Sequence, residues 1–599
     1  MRPHRVLFVV SAPVIGAALA MPSCGLLATF DRSQIEEDAG KVDLVPPLDA
    51  GTKDSRLASL ALDVAPLAPT FTPDRQSYSA RFRMVSAYAT FDTKPVGVTP
   101  IALDPFADID VLGATTKGES GQLALVPLAS SRQEIGVSVR SSDRSDSRYY
   151  RVDLDVDVSD YVKASNTRAN ARFGCALAIS GDTLVVGSRD ESSNASGVNG
   201  NQSDASLRGA GAVYVFVRSG TTWRQEAYLK GGSLAPNEAF GTSVAISGDT
   251  IAVGAPGELS NAGAVRIFRR ANGAWTFEAL VRASNIRSDD PATYGDGARF
   301  GASVALAGDD LVVGAPNEPS ASFGIGGDPT NVAAPFAGAV YSFTRTGTVW
   351  TERAYVKSSH TAPGARFGAS VAYAANTLAV GSEIGVSAAR GGAAYLYDKN
   401  GTSWTYRTFV EAGRPDPDAL FGGAVALSPN GATLAVGAER ESSAAIGIDG
   451  DQTNTSAPSA GAAYIFVRNG TAWRQEAYVK ASNTRPEQQF GHAVALSNTA
   501  LVVGAWGESS NGIGFNGNQA GTQTQSAGAA YVFRRAGSWV QSRYVKASNP
   551  ANVAFFGDAV AVTDAWLALG ALGEKSSATG VDGNELDSSL SFAGAVYVY

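Results

Sequence analysis

The chain has 599 residues, 44% of them apolar and only 17% charged, with 66 glycines and a formal net charge of −8. That length exceeds one ordinary domain, and abundant glycine with few charges suits short strands joined by tight turns better than long solvated helices. No basic block follows the N-terminus, so a phosphate-backbone partner has no support and no nucleic acid is expected.

Arg2 and Arg5 precede an apolar run from Val6 to Met21 that contains Pro13. The run is short for a membrane span and reads as a removable export signal over residues 1–23. Two cleavages compete. Ala18-Leu19-Ala20 fits an ordinary small-residue site, whereas "MPSC" resembles a bacterial lipobox, which would put lipid on Cys24; Met21 and Pro22 depart from its usual pattern. The first reading gives secretion or a periplasmic protein. The second gives an outer-membrane or cell-surface protein that touches the membrane through its N-terminal lipid only. Residues 24–54, rich in Asp, Gly and Pro, read as a flexible tether. Cys24 and Cys175 are the two cysteines, so a lipidated Cys24 leaves no intramolecular disulfide. Cys175 lies in a strand pattern and reads as a small buried apolar side chain.

Residues 55–158 form the first folded unit. "LASLALDVAPLAPTFTPDRQSYSARF" (57–82) and "EIGVSVRSSDRSDSRYYRVDLDV" (134–156) alternate in strand fashion, with an L-x-x-L start, a P-x-F-x-P turn and a closing tyrosine strand. This pattern resembles the bacterial cadherin-like module, which implies a small β-sandwich.

From residue 159 to 599 one sentence recurs. Phe-Gly pairs stand at Phe173, Phe240, Phe300, Phe367, Phe421, Phe490 and Phe556, each opening a phrase such as "FGASVALAGDDLVVGAP" (300–316). A relative of "GAVYVF" follows, then a polar turn, a Trp (223, 275, 350, 404, 473, 539) and a relative of "YVKASN". Each copy holds four short strands that cannot hide both faces alone, so seven of them are expected to stack radially as an all-β, seven-bladed β-propeller of four-stranded blades. The last copy lacks its fourth strand, while "YVKASN" at 161–166 precedes the first copy. That N-terminal strand is expected to complete the seventh blade and to remove two exposed sheet edges. Val156 takes the place held elsewhere by Trp, so the closing blade should be less well filled there. One Trp per blade argues packing between blades. The recurrence over 161–599 resembles the FG-GAP repeats of the integrin α-subunit propeller and, more closely, their short bacterial variant. The Asp-rich calcium loop of integrin-type repeats is absent from its usual place, which here holds turns such as "SGDT" and "AGDD".

Alternating strand direction puts the links between second and third strands on the same face as the links between blades. All length variation collects there, which makes it the candidate binding surface. A glutamate stands four residues beyond the Gly of "VG" or "LG" in six copies: Glu191, Glu258, Glu318, Glu441, Glu508 and Glu574; the fourth copy has Glu383 instead, two residues beyond. Five copies add a Gly-apolar-x-Gly-Asn/Asp run, at 197, 324, 447, 514 and 580. Two readings remain open. One is oxygen-ligand sites for Ca²⁺, best supplied by Glu574, Asp582, Asn584 and Asp587 and by Glu441, Asp449, Asp451 and Asn454. The other is turn chemistry without metal, since Asn-Gly and Asp-Gly tolerate positive φ. Glu191, Asn199, Asn201, Asp204, Glu508 and the loop aromatic Trp506 mark the ligand face.

Histidine occurs at positions 4, 360 and 492, too few for a His-based metal site or a Ser-His-Asp triad with any redundancy. His492, near the axis, reads as incidental. The expected function is non-catalytic recognition or adhesion at the cell surface, with a protein or glycan partner. The alternatives are an envelope hydrolase or lyase with a site at the channel mouth and a scaffold for another envelope protein. An enzyme would need a non-repeating polar cluster at one point of the face.

Overall fold

The computed structural model describes residues 54–84, 95–104, 107–116, 119–232, 235–285, 297–384 and 391–599. The export signal, Cys24 and the tether before Asp54 lie outside the described residues. From Lys53 to Tyr599 the chain is one compact unit. Among the described residues its regular structure is β, apart from one turn at Glu258–Asn261 whose Leu259 and Ser260 have left-handed φ of 50° and 53°. Among the described residues no helix is long and apolar enough to cross a membrane.

Two sheets come first. Leu57–Leu62, Val96–Ala102 and Ala124–Val126 form a three-stranded sheet; Ser77–Arg83, Ser147–Asp157, Arg132–Arg140 and Asp108–Val111 form a four-stranded one, in those orders. Along Ser147–Asp157 every second residue from Tyr150 to Val156 is buried, the period expected of a strand with one covered face. Both sheets contribute to one apolar cluster, in which Leu57, Val96 and Val98 join Tyr78, Ile135 and Tyr150.

Seven four-stranded antiparallel sheets follow. In the first, Ala176–Ser180, Thr183–Ser188, Ala212–Ser219 and Thr222–Leu229 pair in chain order. The next five begin at Ser243, Ser303, Ser370, Phe421 and Phe490 and repeat that order. The last consists of Phe556–Val562, Leu567–Ala571, Ala595–Val598 and the N-terminal strand Asp160–Val162, with Tyr597 opposite Tyr161. Second strands such as Thr183–Ser188 are buried throughout, which is why "LVVG" and "LAVG" read as unbroken apolar runs rather than alternating ones.

The two glycines of each repeat have one explanation. A Cβ on Gly187 would meet the carbonyl oxygen of Gly241, in the next sheet, at 2.1 Å. The same contact recurs around the molecule and ends with Gly570 against the carbonyl of Gly174, also at 2.1 Å, which brings the seventh sheet onto the first. Gly241 and its counterparts take φ near +90°, a conformation open to glycine alone. "FG" and "VGA" are thus the two halves of one backbone-to-backbone contact.

One expectation needs correction. Val156 does not belong to the seventh sheet: it lies opposite Phe82 in the four-stranded sheet of the N-terminal segment, and the closing strand starts only at Asp160. The aromatic filling between seventh and first sheets is Trp566, edge-on to Trp223 at 5.7 Å. The links between second and third strands differ in length as expected, 256–263 and 383–392 being short. Five of them, 189–211, 316–338, 439–461, 506–528 and 572–594, have equal length.

The N-terminal segment is fixed to the sixth and seventh sheets. Ser131 N donates to Phe515 O (3.0 Å), Asn516 Nδ2 donates to Ala129 O (3.0 Å), and Arg83 pairs with Asp160 and Asp582. Phe515 stacks on Tyr599 at 5.1 Å. The apolar cluster runs unbroken from Leu57 through Val158 to Phe515 and Tyr599.

Candidate binding face

The recurring glutamate has a partner in its own sheet. Lys230, next after the fourth strand of the first sheet, donates through Nζ to Glu191 Oε2 (2.8 Å) and to Ser193 O (2.8 Å). Ser193 N and Asn166 Nδ2 donate to Glu191 Oε1, each at 3.0 Å. Asn166 comes from the link that precedes the sheet, and its Oδ1 accepts the Tyr214 hydroxyl. The carboxylate therefore ties one sheet to the next. Lys357 holds Glu318 and Lys546 holds Glu508, both at 2.8 Å; Lys480 holds Glu441 at 2.9 Å and Lys163 holds Glu574 at 2.6 Å. The last pair pins the N-terminal strand to the seventh sheet. In the second sheet Arg266 and Arg282 both meet Glu258. Burial pushes the lysine pKa values down, and the facing glutamates oppose that. The fourth sheet lacks both partners: Gly385 stands where the glutamate would be and Glu411 where the lysine would be. Glu383 pairs there with Arg366 at 3.1 Å.

The five equal links also fold alike. The apolar residue of each Gly-apolar-x-Gly run forms a bridge with its sheet's fourth strand: Val198 with Leu229, Ile325 with Val356, Ile448 with Val479, Phe515 with Val545 and Val581 with Val162. The link covers the sheet's outer edge, which would otherwise present unpaired N–H and C=O groups.

The loop oxygens expected to bind calcium or to mark the ligand face have other partners. Asp449 Oδ1 accepts from Tyr478 N (2.8 Å), Asp582 Oδ1 from Tyr161 N (3.2 Å) and Asn199 Oδ1 from Tyr228 N (2.9 Å). Asp451 closes a turn on Thr453 N, Asn454 on Ser456 N, Asn584 on Leu586 N and Asn201 on Ser203 N. Asp204 and Asp587 cross-link the arms of their loops through Asn194 N (3.1 Å) and Ser577 N (2.6 Å). Hydrogen bonds from Ser577 and Ser589 hold the Asp587 carboxyl far below the usual range. Among the described residues no three of His, Cys, Asp and Glu gather as a metal site. The geometry matches turn chemistry, and Glu191, Glu508, Glu441 and Glu574 are buried in the latches just described.

A second cluster forms where the first strands begin. The residue after each "FG" is Cys175, Thr242, Ala302, Ala369, Gly423, His492 or Asp558. His492 Nδ1 meets Glu439 Oε2 of the fifth sheet at 2.5 Å, and its Nε2 meets Asp558 Oδ1 of the seventh at 3.3 Å. Burial alone would depress the imidazole pKa, but Asp558 and Glu439 outweigh it and raise it to about 10. Trp506 lies against the imidazole at 5.5 Å and against Phe555 at 4.9 Å; Phe592 continues the row, with the Arg172 guanidinium 5.9 Å from its ring. His492 was legible as a departure from small residues; its partners, drawn from other repeats, were not. With both nitrogens facing carboxylates the ring is a fixed cation beside an aromatic shelf and has no lone pair free to take a proton.

The class these features define is an all-β protein of repeated four-stranded sheets carrying FG-GAP repeats: the FG-GAP repeat family model matches residues 161–216, 223–268 and 473–533. No curated protein matches the chain. Among solved structures, Sqt1 from Chaetomium thermophilum is similar at 15% identity and a TM-score of 0.36, over 73% of this chain and 88% of that one. The RRP9 WD40 repeats align at 10% identity and 0.36, over 73% and 99%. Hydrazine synthase of Kuenenia stuttgartiensis aligns at 11% and 0.33, over 71% and 91%.

Proposed function

We propose that this chain is a non-catalytic binding or adhesion protein of a bacterial envelope, whose seven sheets are the blades of a closed FG-GAP β-propeller. The ring reading is supported by the Gly570 to Gly174 contact and by the pairing of Asp160–Val162 with Ala595–Val598. The two preceding sheets act as a cadherin-like sandwich that stands the propeller off its anchor, lipid on Cys24 where the lipobox is used. The partner is a surface protein or glycan, held on the face that carries the long links.

One observation carries this reading. In one sector of that face a charged His492, where five of the other sheets have Cys, Thr, Ala or Gly, adjoins Trp506, Phe555 and Phe592, the mix of aromatic anchor and fixed polar group that recognition sites favour. The opposite links are mostly two-residue turns such as 181–182 and 272–273. The test is a glycan array and an envelope-protein pull-down with the full exported chain. Trp506→Ala should abolish capture, while Asn272→Ala, on the opposite face, should leave it intact. Capture indifferent to Trp506 would overturn the reading. The same non-repeating cluster is what the enzyme alternative asks for; hydrolase or lyase turnover that disappears in His492→Gln would favour it.

A further inference from the structure

Four links between sheets place an asparagine amide between a tyrosine and the latch glutamate. Asn285 is typical: the Tyr341 hydroxyl donates to its Oδ1 at 2.6 Å, and its Nδ2 donates to Glu318 Oε1 at 3.3 Å. Asn166, Asn483 and Asn549 do the same toward Glu191, Glu508 and Glu574. The link into the fifth sheet reads "YRTFVEAGRPDPDALF" and has Arg414 at that position. Arg414 replaces only one of the asparagine's contacts: its Nη1 donates to Gln452 O, the counterpart of the Gln202 O that Asn166 reaches. The bridge itself is missing. Among the described residues Glu441 Oε1 accepts from Ser443 N alone, and the Tyr464 hydroxyl has no hydrogen bond although the residue is 1% exposed.

Where the bridge is missing there is a cleft of about 420 Å³. Glu441, Ser442, Thr455, Asp416 and Arg414 line it together with three prolines, and Tyr464 holds the sequence place of Tyr214, Tyr341, Tyr531 and Tyr597, which meet the bridging asparagines in the other sheets. Glu441 is 7% exposed, whereas Glu191, Glu318, Glu508 and Glu574 are 3% or less. In four other sheets one amide serves both the tyrosine hydroxyl and the glutamate, so this spot suits a ligand that restores the bridge. Such a ligand presents an N–H toward Glu441 and a carbonyl toward Tyr464, which is one amide. The space beyond exceeds an amide, falls in the range of small-ligand sites, and is lined by hydroxyl, carboxylate and guanidinium groups suited to a polyhydroxylated ring.

We infer that this cleft binds an acetamido sugar, its N-acetyl N–H donating to Glu441 Oε1 and its carbonyl accepting the Tyr464 hydroxyl. The cleft shares the link 439–461 with the His492 sector through Glu439 but none of its lining residues, and the inference stands whether or not that sector binds anything. The test titrates the full chain calorimetrically with N-acetylglucosamine and N-acetylgalactosamine, beside glucose, glucosamine and free asparagine. An N-acetyl sugar should bind at least tenfold tighter than glucose or glucosamine. Tyr464→Phe should weaken it about fivefold to tenfold, the equivalent of one hydrogen bond. Arg414→Asn should rebuild the internal bridge, raise the melting temperature and abolish sugar binding, so loss of binding there is not loss of fold. Equal affinity for glucose, an Arg414→Asn protein that still binds, or preference for asparagine over the sugars would each overturn the inference. A failed envelope pull-down would leave it standing, and a failed titration would leave the pull-down standing.

Discussion

Replacing Lys546 by Met tests whether the buried latches hold the sheets together. Lys546 and Glu508 are both 0% exposed at the side chain and 2.8 Å apart. Removing the ammonium leaves a carboxylate in the interior, and breaking a buried pair from one side costs about 3–5 kcal/mol. Three other donors, Asn483 Nδ2, Ser510 N and Ser510 Oγ, still reach Glu508 and soften the loss, so the expectation is the low end, about 3 kcal/mol. The assay is urea denaturation followed by circular dichroism, with Arg132→Met as reference. Arg132 faces Asp155 at 3.4 Å in solvent, and such exposed pairs contribute about 0–1 kcal/mol. A Lys546→Met protein no less stable than Arg132→Met would refute the reasoning and return the six glutamates to consideration as ligands.

Gly570→Ala should destabilise more than Gly181→Ala: the first Cβ would run into the Gly174 carbonyl at 2.1 Å, while the second meets open space and costs only left-handed strain of about 1–2 kcal/mol, read from urea midpoints. Calcium at 1 mM should leave the melting temperature unchanged, because the loop oxygens are engaged in turns; a site of 10 μM affinity would add about 2.7 kcal/mol. His492 is raised from 6.5 to about 10 in the fold, so its contribution is complete below pH 6.5 and declines as pH rises toward 10. His492→Gln should flatten that decline in a series of melts between pH 6 and 10.

The repeated sheets were legible because phrase and spacing recur, and the strand Asp160–Val162 because its letters match those of complete copies. The latch was harder to see. Glu191 and Lys230 stand 39 residues apart, a separation with no helical or strand period, and side chains meet across it only once a link has folded back on the fourth strand. One signal was present: the copy that lacks the glutamate also lacks the lysine. That five of the loops fold alike was hidden because their letters differ; the apolar residue that bridges to the fourth strand varies among Val198, Ile325, Ile448, Phe515 and Val581 without changing its role. Val156 was misassigned because strand alternation runs on from Ser147–Asp157 toward Asp160–Val162 with only two residues between them. His492 stood out as a single letter, but Glu439 and Asp558 belong to other repeats, and no local pattern joins the three.

The fourth sheet offers a natural experiment on the latch. It has lost the glutamate, the lysine and the long link together: the connection 383–392 is short and holds no Gly-apolar-x-Gly run. Loss of the glutamate together with the lysine fits the energetics, since the lysine without its partner would be an unpaired buried charge. The second sheet, also with a short link, keeps Glu258 but sets two arginines against it. Among the described residues the fourth sheet's last strand, Ser403–Val410, therefore has neither the buried pair nor the link bridge that Ala472–Val479 has in the fifth. Local opening follows such contacts, so amides of Ser403–Val410 should exchange hydrogen faster than those of Ala472–Val479 in native-state exchange read by mass spectrometry. The acetamido cleft lies beside this weak sheet, and a filled cleft, bridging Glu441 to Tyr464, should slow exchange in Ala472–Val479 more than in Ser403–Val410. Equal protection of the two strands in the free protein would mean that neither the latch nor the folded-back link carries the stability assigned to it.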